Sequence, residues 1–183
     1  MRIITGKYGG RKINPPSKMP YTRPTTDVAK EGLFNIVENN ISLPGKKTLD
    51  IFGGTGSISY ELASRGASDL TIVEKDPKMY TFIKSKIDEF KIENCDVVKS
   101  DVFRFLENCT DKYDLIFAGP PYALKNIDDL PQIIREKKLL KPGGWFILEH
   151  TPANNYENEL MFKTVRNYGT TVFSIFINSR EEG

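Results

Sequence analysis

A strand-like run from Thr48 to Phe52 passes directly into Gly53-Gly54-Thr55-Gly56-Ser57 and then into a helical stretch. Glycines at a strand end let the backbone turn tightly and let a ligand come close to it. Beyond this junction the pattern alternates. Leu70 to Glu74, Asp96 to Lys99, Asp114 to Ala118 and Trp145 to His150 read as strands, and Ser57 to Arg65, Pro77 to Phe90, Val102 to Asn108 and Asp128 to Lys138 as the helices between them. Such alternation predicts a doubly wound α/β fold, its parallel sheet joined by right-handed crossovers. Met161 to Asn167 and Thr171 to Asn178 form two last strands separated by Tyr168-Gly169-Thr170, which predicts an antiparallel hairpin at the sheet edge. Seven strands are expected in all.

Ahead of the alternation, Thr26 or Asp27 can cap a helix reaching about Asn40, with Ala29, Leu33, Ile36 and Val37 on one stripe, and Leu43-Pro44-Gly45 ends it. The expected organisation is a basic, hairpin-like N-terminal extension over residues 1–25 and one α/β domain over 26–183. A chain of 183 residues has the length for one domain, able to bury roughly 70% of its unfolded surface. With 39% hydrophobic and 27% charged residues, it is neither disordered nor collagen-like. No apolar run approaches the roughly 18 residues of a membrane span, and the first residues have no signal-like apolar core. Two cysteines, Cys95 and Cys109, with a single histidine are too few for a zinc site or a disulfide scaffold, so free thiols, no metal and a reducing cytoplasm are expected.

The net charge of +2 hides an uneven distribution. Residues 1–23 carry Arg2, Lys7, Arg11, Lys12, Lys18 and Arg23 without one acid, whereas residues 48–183 hold 17 basic and 21 acidic side chains. A cationic arm on a mildly acidic body suits a polyanionic partner, because each neutralised phosphate releases counterions. A solvated hairpin that only aids solubility is the plain alternative.

Glu74 lies twenty residues after Gly54, at the end of the second strand, where a carboxylate can accept ribose hydroxyls. The turn and this acid together indicate a nucleoside cofactor. A dinucleotide site wants a third small residue where this chain has Ser59. Asp50, inside the first strand, suits a cation better than a pyrophosphate, and S-adenosylmethionine carries both an ammonium and a sulfonium. Asp101, just after the third strand, can accept from an adenine amine or simply cap the next helix. The fourth strand ends in Gly119-Pro120-Pro121-Tyr122, where two prolines fix the chain and leave carbonyls free to face a cleft, followed by an aromatic able to stack on a flat substrate.

Asp50-Ile-Phe-Gly-Gly-Thr-Gly-Ser, Glu74 and Pro120-Pro121-Tyr122 resemble the motifs of class I S-adenosylmethionine-dependent methyltransferases acting on exocyclic amines. Arg2-Ile3-Ile4-Thr5-Gly6 with Gly10-Arg11, Arg23-Pro24-Thr25-Thr26-Asp27, Leu33-Phe34-Asn35 and Glu149-His150 are similar to the RsmD-type 16S rRNA guanine-N2 methyltransferases. The resemblance spans nearly the whole chain. It implies a Rossmann-like, mainly parallel seven-stranded sheet, a bacterial cytoplasmic setting, and methylation of a guanine N2 amine in 16S rRNA of the small ribosomal subunit or an assembly intermediate. It also implies roles: Asp50, Phe52, Gly54 and Gly56 at the methionine end and turn, Glu74 on the ribose, Asp101 on the adenine. Gly119, Pro120, Pro121 and Tyr122 would hold the flipped guanine, and Arg2, Lys7, Arg11, Lys12, Lys18 and Arg23 the RNA. A monomer is the default, since no feature demands a partner copy.

One departure stands out. The family's motif opens with Asp or Asn, whose side chain and the next proline's carbonyl accept from the target amine; here Gly119 has no side chain. Asp114 is about 16 Å away along an extended strand and cannot stand in. Two other readings therefore stay open: a catalytically impaired binder of S-adenosylmethionine and RNA that serves ribosome assembly, and a nicotinamide oxidoreductase, against which Ser59 and the Pro-Pro-Tyr loop argue. Thr25 and Asp27 either line the cofactor entrance or cap and pack the first helix, and His150 reads as structural or as an RNA contact rather than as a base. Trp145 reads as core.

Overall fold

The computed structural model describes residues 1–18 and 24–179. Helix α1 spans Asp27–Asn40, and Thr26 caps it by accepting from the Ala29 amide at 3.2 Å. The alternation follows as β1 (Lys47–Asp50), α2 (Ser57–Ser64), β2 (Asp69–Glu74), α3 (Pro77–Phe90), β3 (Cys95–Lys99), α4 (Val102–Asn108), β4 (Tyr113–Ala118), α5 (Leu130–Glu136) and β5 (Leu140–His150). Strands β6 (Phe162–Tyr168) and β7 (Thr171–Ile177) complete it. The sheet order is β3-β2-β1-β4-β5-β7-β6. Strands β1 to β5 pair in parallel, while β7 runs antiparallel between β5 and β6. The order reverses between β1 and β4, so a crevice opens at their carboxyl ends, the usual ligand place in such sheets.

Both faces of the sheet are covered, and the strand period shows it. Along β4, Leu115 and Phe117 enter a core with Leu33, Leu62 and Ile83 of α1, α2 and α3, while Ile116 and Ala118 enter another with Leu106 of α4 and Ile134 of α5. On β5, Trp145 and Ile147 alternate with Phe146 and Leu148 between the same two cores. Helix α3 shows how locally this is encoded: Asp76 accepts from the Met79 amide at 2.9 Å, Pro77 sits in the first turn, and Met79, Ile83, Ile87 and Phe90 form the buried stripe.

Several boundaries differ from the sequence reading, most by a residue or two, and three of the differences have a visible cause. Strand β1 stops at Asp50 rather than Phe52: the Ile51 amide still reaches Phe117 O at 3.0 Å, but the Gly53 amide has swung to Val73 O at 2.8 Å. Strand β5 begins at Leu140, because Pro142-Gly143-Gly144 is absorbed as an irregularity opposite Tyr113 to Leu115. The last helix starts with a short 3-10 turn, Ile127–Asp129, since Pro131 belongs in a first helical turn.

The N-terminal segment is a hairpin, bridged antiparallel at Arg2 and Lys12. It is sewn onto α2, where buried Glu61 accepts from the Ile4 amide at 2.9 and 3.1 Å and Ser64 Oγ accepts from the Tyr8 amide at 2.9 Å. Ile3, Tyr8 and Ile13 join the core shared with α1 and α2. Lys30, fully buried on α1, donates to Ser57 Oγ at 3.0 Å and to Arg2 O, and burial lowers its pKa. Among the described residues no helix is long and apolar enough to cross a membrane, and no cluster of three or more His, Cys, Asp or Glu is suited to a metal.

Candidate active site

A cavity of about 410 Å³ lies at the carboxyl ends of β1, β2, β4 and β5, bounded by Asp50, Glu74, Asp101, Gly119 and Glu149. Its floor is the glycine turn. Gly56 accepts the turn at a φ of 81°, and a Cβ there would stand 2.3 Å from the Tyr60 ring, so the position is closed to other residues. Gly54 and Phe52 line the cavity, whereas Gly56 shapes the turn without lining it.

Glu74 grips this turn. Its Oε2 accepts from the Gly54 amide at 2.7 Å and its Oε1 from the Asp76 amide at 3.0 Å, which presents the carboxylate at the cavity wall. Asp50 is more extreme: it is 2% exposed, its Oδ2 accepts from Ser59 Oγ at 2.9 Å, and its Oδ1 has no hydrogen-bond partner among the described residues. Burial, then the nearby charges of Glu74 and Glu149, pushes its carboxyl up to about 7. A buried carboxyl that lines a cavity and has one oxygen without a partner among the described residues is suited to meet a cationic or donating group. Ser59, which the sequence offered only as an argument against a dinucleotide, is what orients it.

Asp101 borders the cavity and also caps α4, its Oδ1 accepting from the amides of Phe103 and Arg104 at 3.0 and 3.2 Å. Pro120 and Pro121 line the opposite wall, while Tyr122 is 43% exposed and outside the lining. Beside them, Glu149 is buried at the end of β5. It accepts from Thr25 Oγ1 at 3.0 and 3.2 Å, joining the segment ahead of α1 to the cavity rim. A Cβ on Gly119 would stand 2.8 Å from Glu149 Oε2, the far end of a flexible side chain, so the two positions adjoin at the cavity. Sequence reading noted Glu149 only as part of a resemblance; the parallel pairing of Ala118 with Leu148, which sets residue 149 next to 119, is what the linear order hides.

Asp27 lies away from the cavity and pairs with Arg2 at 3.8 Å. Asp114 is at the other end of β4, accepting from the Lys47 amide and from Lys141 Nζ. His150 is 2% exposed: Nδ1 meets Thr151 O at 2.8 Å, so it donates there, and Nε2 at 2.7 Å from Ser174 Oγ then accepts. Both nitrogens are engaged in structure, and burial lowers its pKa.

A protein-family model described as Conserved hypothetical protein 95 matches residues 1–177. Ribosomal RNA small subunit methyltransferase D of Buchnera aphidicola is 31% identical over 148 residues, covering 80% of this chain and 76% of that protein. The protein of the same name in Escherichia coli is 31% identical over 145 residues, covering 79% of this chain and 69% of that one. The chain belongs to the RsmD methyltransferase family. Two solved structures share the fold of this RsmD-family chain. A hypothetical protein of Thermus thermophilus matches with a TM-score of 0.84 at 24% identity, over 96% of this chain and 98% of that one. The 16S rRNA N2 methyltransferase RsmC of the same organism, in complex with AdoMet and guanosine, matches with a TM-score of 0.68 at 20% identity, over 86% of this chain and 44% of that chain.

On the RsmD-family hairpin, Arg2, Lys7, Arg11, Lys12 and Lys18 are all exposed. The Arg11 guanidinium lies 5.2 Å from the Tyr8 ring centroid and 5.4 Å from that of Phe90, which holds it against the surface without spending its charge. Arg23 lies outside the described residues.

Proposed function

We propose that this chain methylates the exocyclic N2 amine of a guanine in small-subunit rRNA, with S-adenosylmethionine as donor. The observation that carries the reading is the pairing of Asp50 Oδ1, buried and without a partner among the described residues, with the Glu74 carboxylate across the glycine turn of a methyltransferase-family cavity. These residues fit the donor. Asp50 suits its ammonium and Glu74 its ribose hydroxyls, and Asp101 stands at the rim for the adenine amine. When bound, S-adenosylmethionine supplies a methyl already activated by the sulfonium.

The chain's task is then positioning, which can supply roughly 7 to 11 kcal/mol of a barrier when reactants are held in line. A guanine must leave its stack before its amine can reach a cavity of this kind. Gly119 and Pro120 line the wall, and their backbone carbonyls are the acceptors this reading assigns to the N2 amine, to turn its lone pair toward the donor. Tyr122, exposed next to that wall, can stack on the flipped base. The five exposed cations of the hairpin hold rRNA phosphates by charge rather than by reading bases.

The test is transfer of radiolabelled methyl from S-adenosylmethionine to small ribosomal subunits lacking the modification, followed by nucleoside analysis. Label in N2-methylguanosine is the expected result; label elsewhere would overturn the substrate reading. Binding of S-adenosylhomocysteine without any transfer would favour the binder that Gly119 raises as the second reading.

A further inference from the structure

Resting on that reading, we propose that the cavity-side half of α3 and the adjoining end of β3 form a second rRNA-holding surface, where Lys75, Lys78, Lys84 and Lys99 grip the strand leading to the target guanine. The hairpin brings the partner there. Arg11 Nη1 donates to Phe90 O at 3.5 Å at the carboxyl end of α3, whereas Lys78 Nζ, in the first turn, donates to Lys18 O at 3.4 Å. The segment from Arg11 to Lys18 therefore runs the length of α3 toward the cavity, and Lys18 arrives beside the first cation of the helix. Lys75, between Glu74 and α3, lines the cavity itself. On the flank facing β3, Lys84 Nζ and Lys99 Nζ lie 5.5 and 6.0 Å from the Tyr80 ring centroid, so the half-buried ring gathers a lysine from each element at one place.

The charges of this corner are arranged for a ligand rather than for the fold. A helix favours anions at its amino end and cations at its carboxyl end. Helix α3 is the reverse: its first turn holds Lys78 and no acid, and its last turn Asp88 and Glu89 and no base. All four lysines are exposed, and among the described residues none has a carboxylate within ion-pair distance. The acids close to them in sequence are turned to backbone amides: Glu74 to Gly54 and Asp76, Asp76 to Met79, and Asp101 to Phe103 and Arg104. Residues 48–183 hold more acidic than basic side chains, so a cluster of four lysines without ion pairs stands apart on that body and fits the phosphates of one strand. A strand held between the hairpin's cations and these lysines reaches the cavity past Lys75, so the contacts set its direction as well as its affinity.

The experiment compares the parent with Lys78→Gln/Lys84→Gln/Lys99→Gln and with a control of equal charge, Lys112→Gln/Lys137→Gln/Lys138→Gln. The control lysines are exposed just before β4 and β5, at the end of the sheet opposite the cavity. Lys75 is left in place because it lines the cavity. Binding of methyl-deficient small subunits and of protein-free 16S rRNA is measured over a range of salt, with S-adenosylhomocysteine affinity and melting temperature for each protein. The α3 variant should bind RNA about 10²-fold more weakly at about 0.1 M salt, and the slope of log K against log salt should lose about 0.7 in magnitude per lysine, beyond the hairpin's own share. Its S-adenosylhomocysteine affinity should stay within about threefold, and its melting temperature should hold or rise slightly as Lys78 leaves the positive end of the helix. The control should bind as the parent does. Lys78→Arg/Lys84→Arg/Lys99→Arg, which keeps the charge, should also bind as the parent. Parental RNA binding in the glutamine variant of α3, an equal loss in the control, or an equal loss in the arginine variant overturns the proposal. A parent that binds no rRNA or transfers no methyl refutes the substrate reading and this surface with it, whereas an active parent indifferent to the three lysines refutes the surface alone.

Discussion

The Gly54 amide donates to Glu74 Oε2 at 2.7 Å, so the glycine turn and the acid twenty residues later are one physical unit. Glu74 both shapes the loop and presents acceptors to whatever lies on it. Glu74→Ala should weaken S-adenosylmethionine binding by about 10- to 100-fold, the loss expected for hydrogen bonds to a charged group, and lower the melting temperature modestly as the Gly54 and Asp76 amides lose their acceptor. Calorimetric titration checks this, and parental affinity in the variant would remove the cofactor assignment.

With Asp50 in its proposed place beside the donor's ammonium, donor binding should depend on pH. The Asp50 carboxyl, pushed up to about 7 chiefly by burial, holds a proton that must leave before it can pair with an ammonium. Affinity should therefore tighten roughly eightfold from pH 6 to pH 7.5, below the range of about 7.7 to 8.0 where an α-amine itself deprotonates. The sign for the free protein is opposite. A carboxyl with a raised folded pKa favours folding at acid pH and loses that contribution as pH climbs from about 4 toward 7. Titrations at several pH values test the first statement, and Asp50→Asn should abolish the slope.

The hairpin predicts a salt dependence. Five exposed cations meeting single-stranded phosphates correspond to a slope of log K against log salt near −3.5. Lys7→Ala with Lys12→Ala should reduce its magnitude by about 1.4 while leaving S-adenosylhomocysteine affinity unchanged. A flat response in the parent would take the hairpin out of RNA binding.

His150 should behave as a structural residue. Removing its ring strands Ser174 Oγ and the Thr151 carbonyl and opens space beside Tyr156, whose ring centroid is 5.0 Å away. His150→Ala should cost about 2 to 4 kcal/mol of stability in denaturant titrations, with kcat near parental under folded conditions. Because its folded pKa is lowered below 6.5, its contribution is present above that pH and is lost as pH falls through it.

Much of this architecture was legible in the linear pattern, because its signals are local. Helix α3 carries its own cap, first-turn proline and apolar stripe, and α1 its threonine cap, so both elements could be located within a residue. The strand-to-glycine junction and Glu74 were legible for the same reason, being tied by a fixed spacing. What escaped was set by pairing between distant segments. Glu149 acquires its place only through the β4–β5 register, Ser59 only through the turn that brings it to Asp50, and Lys30 only through the hairpin folded over it. The extent of β5 escaped because Pro142-Gly143-Gly144 reads locally as a break, yet the sheet tolerates it as an irregularity.

The hairpin's attachment to α2 has a further consequence. Ile4 and Tyr8 are bonded to Glu61 and Ser64, and Lys30 ties Arg2 to Ser57, the first residue after the glycine turn. Among the described residues these hydrogen bonds join the cationic surface directly to the helix that follows the cavity's turn, so the two ride on one helix as the fixed jaw and the tool of a single jig. A polyanion seated on the hairpin, as proposed, would be held at a set reach from the cavity mouth, so that selection among targets would be a matter of distance along the bound chain rather than of search by a tethered arm.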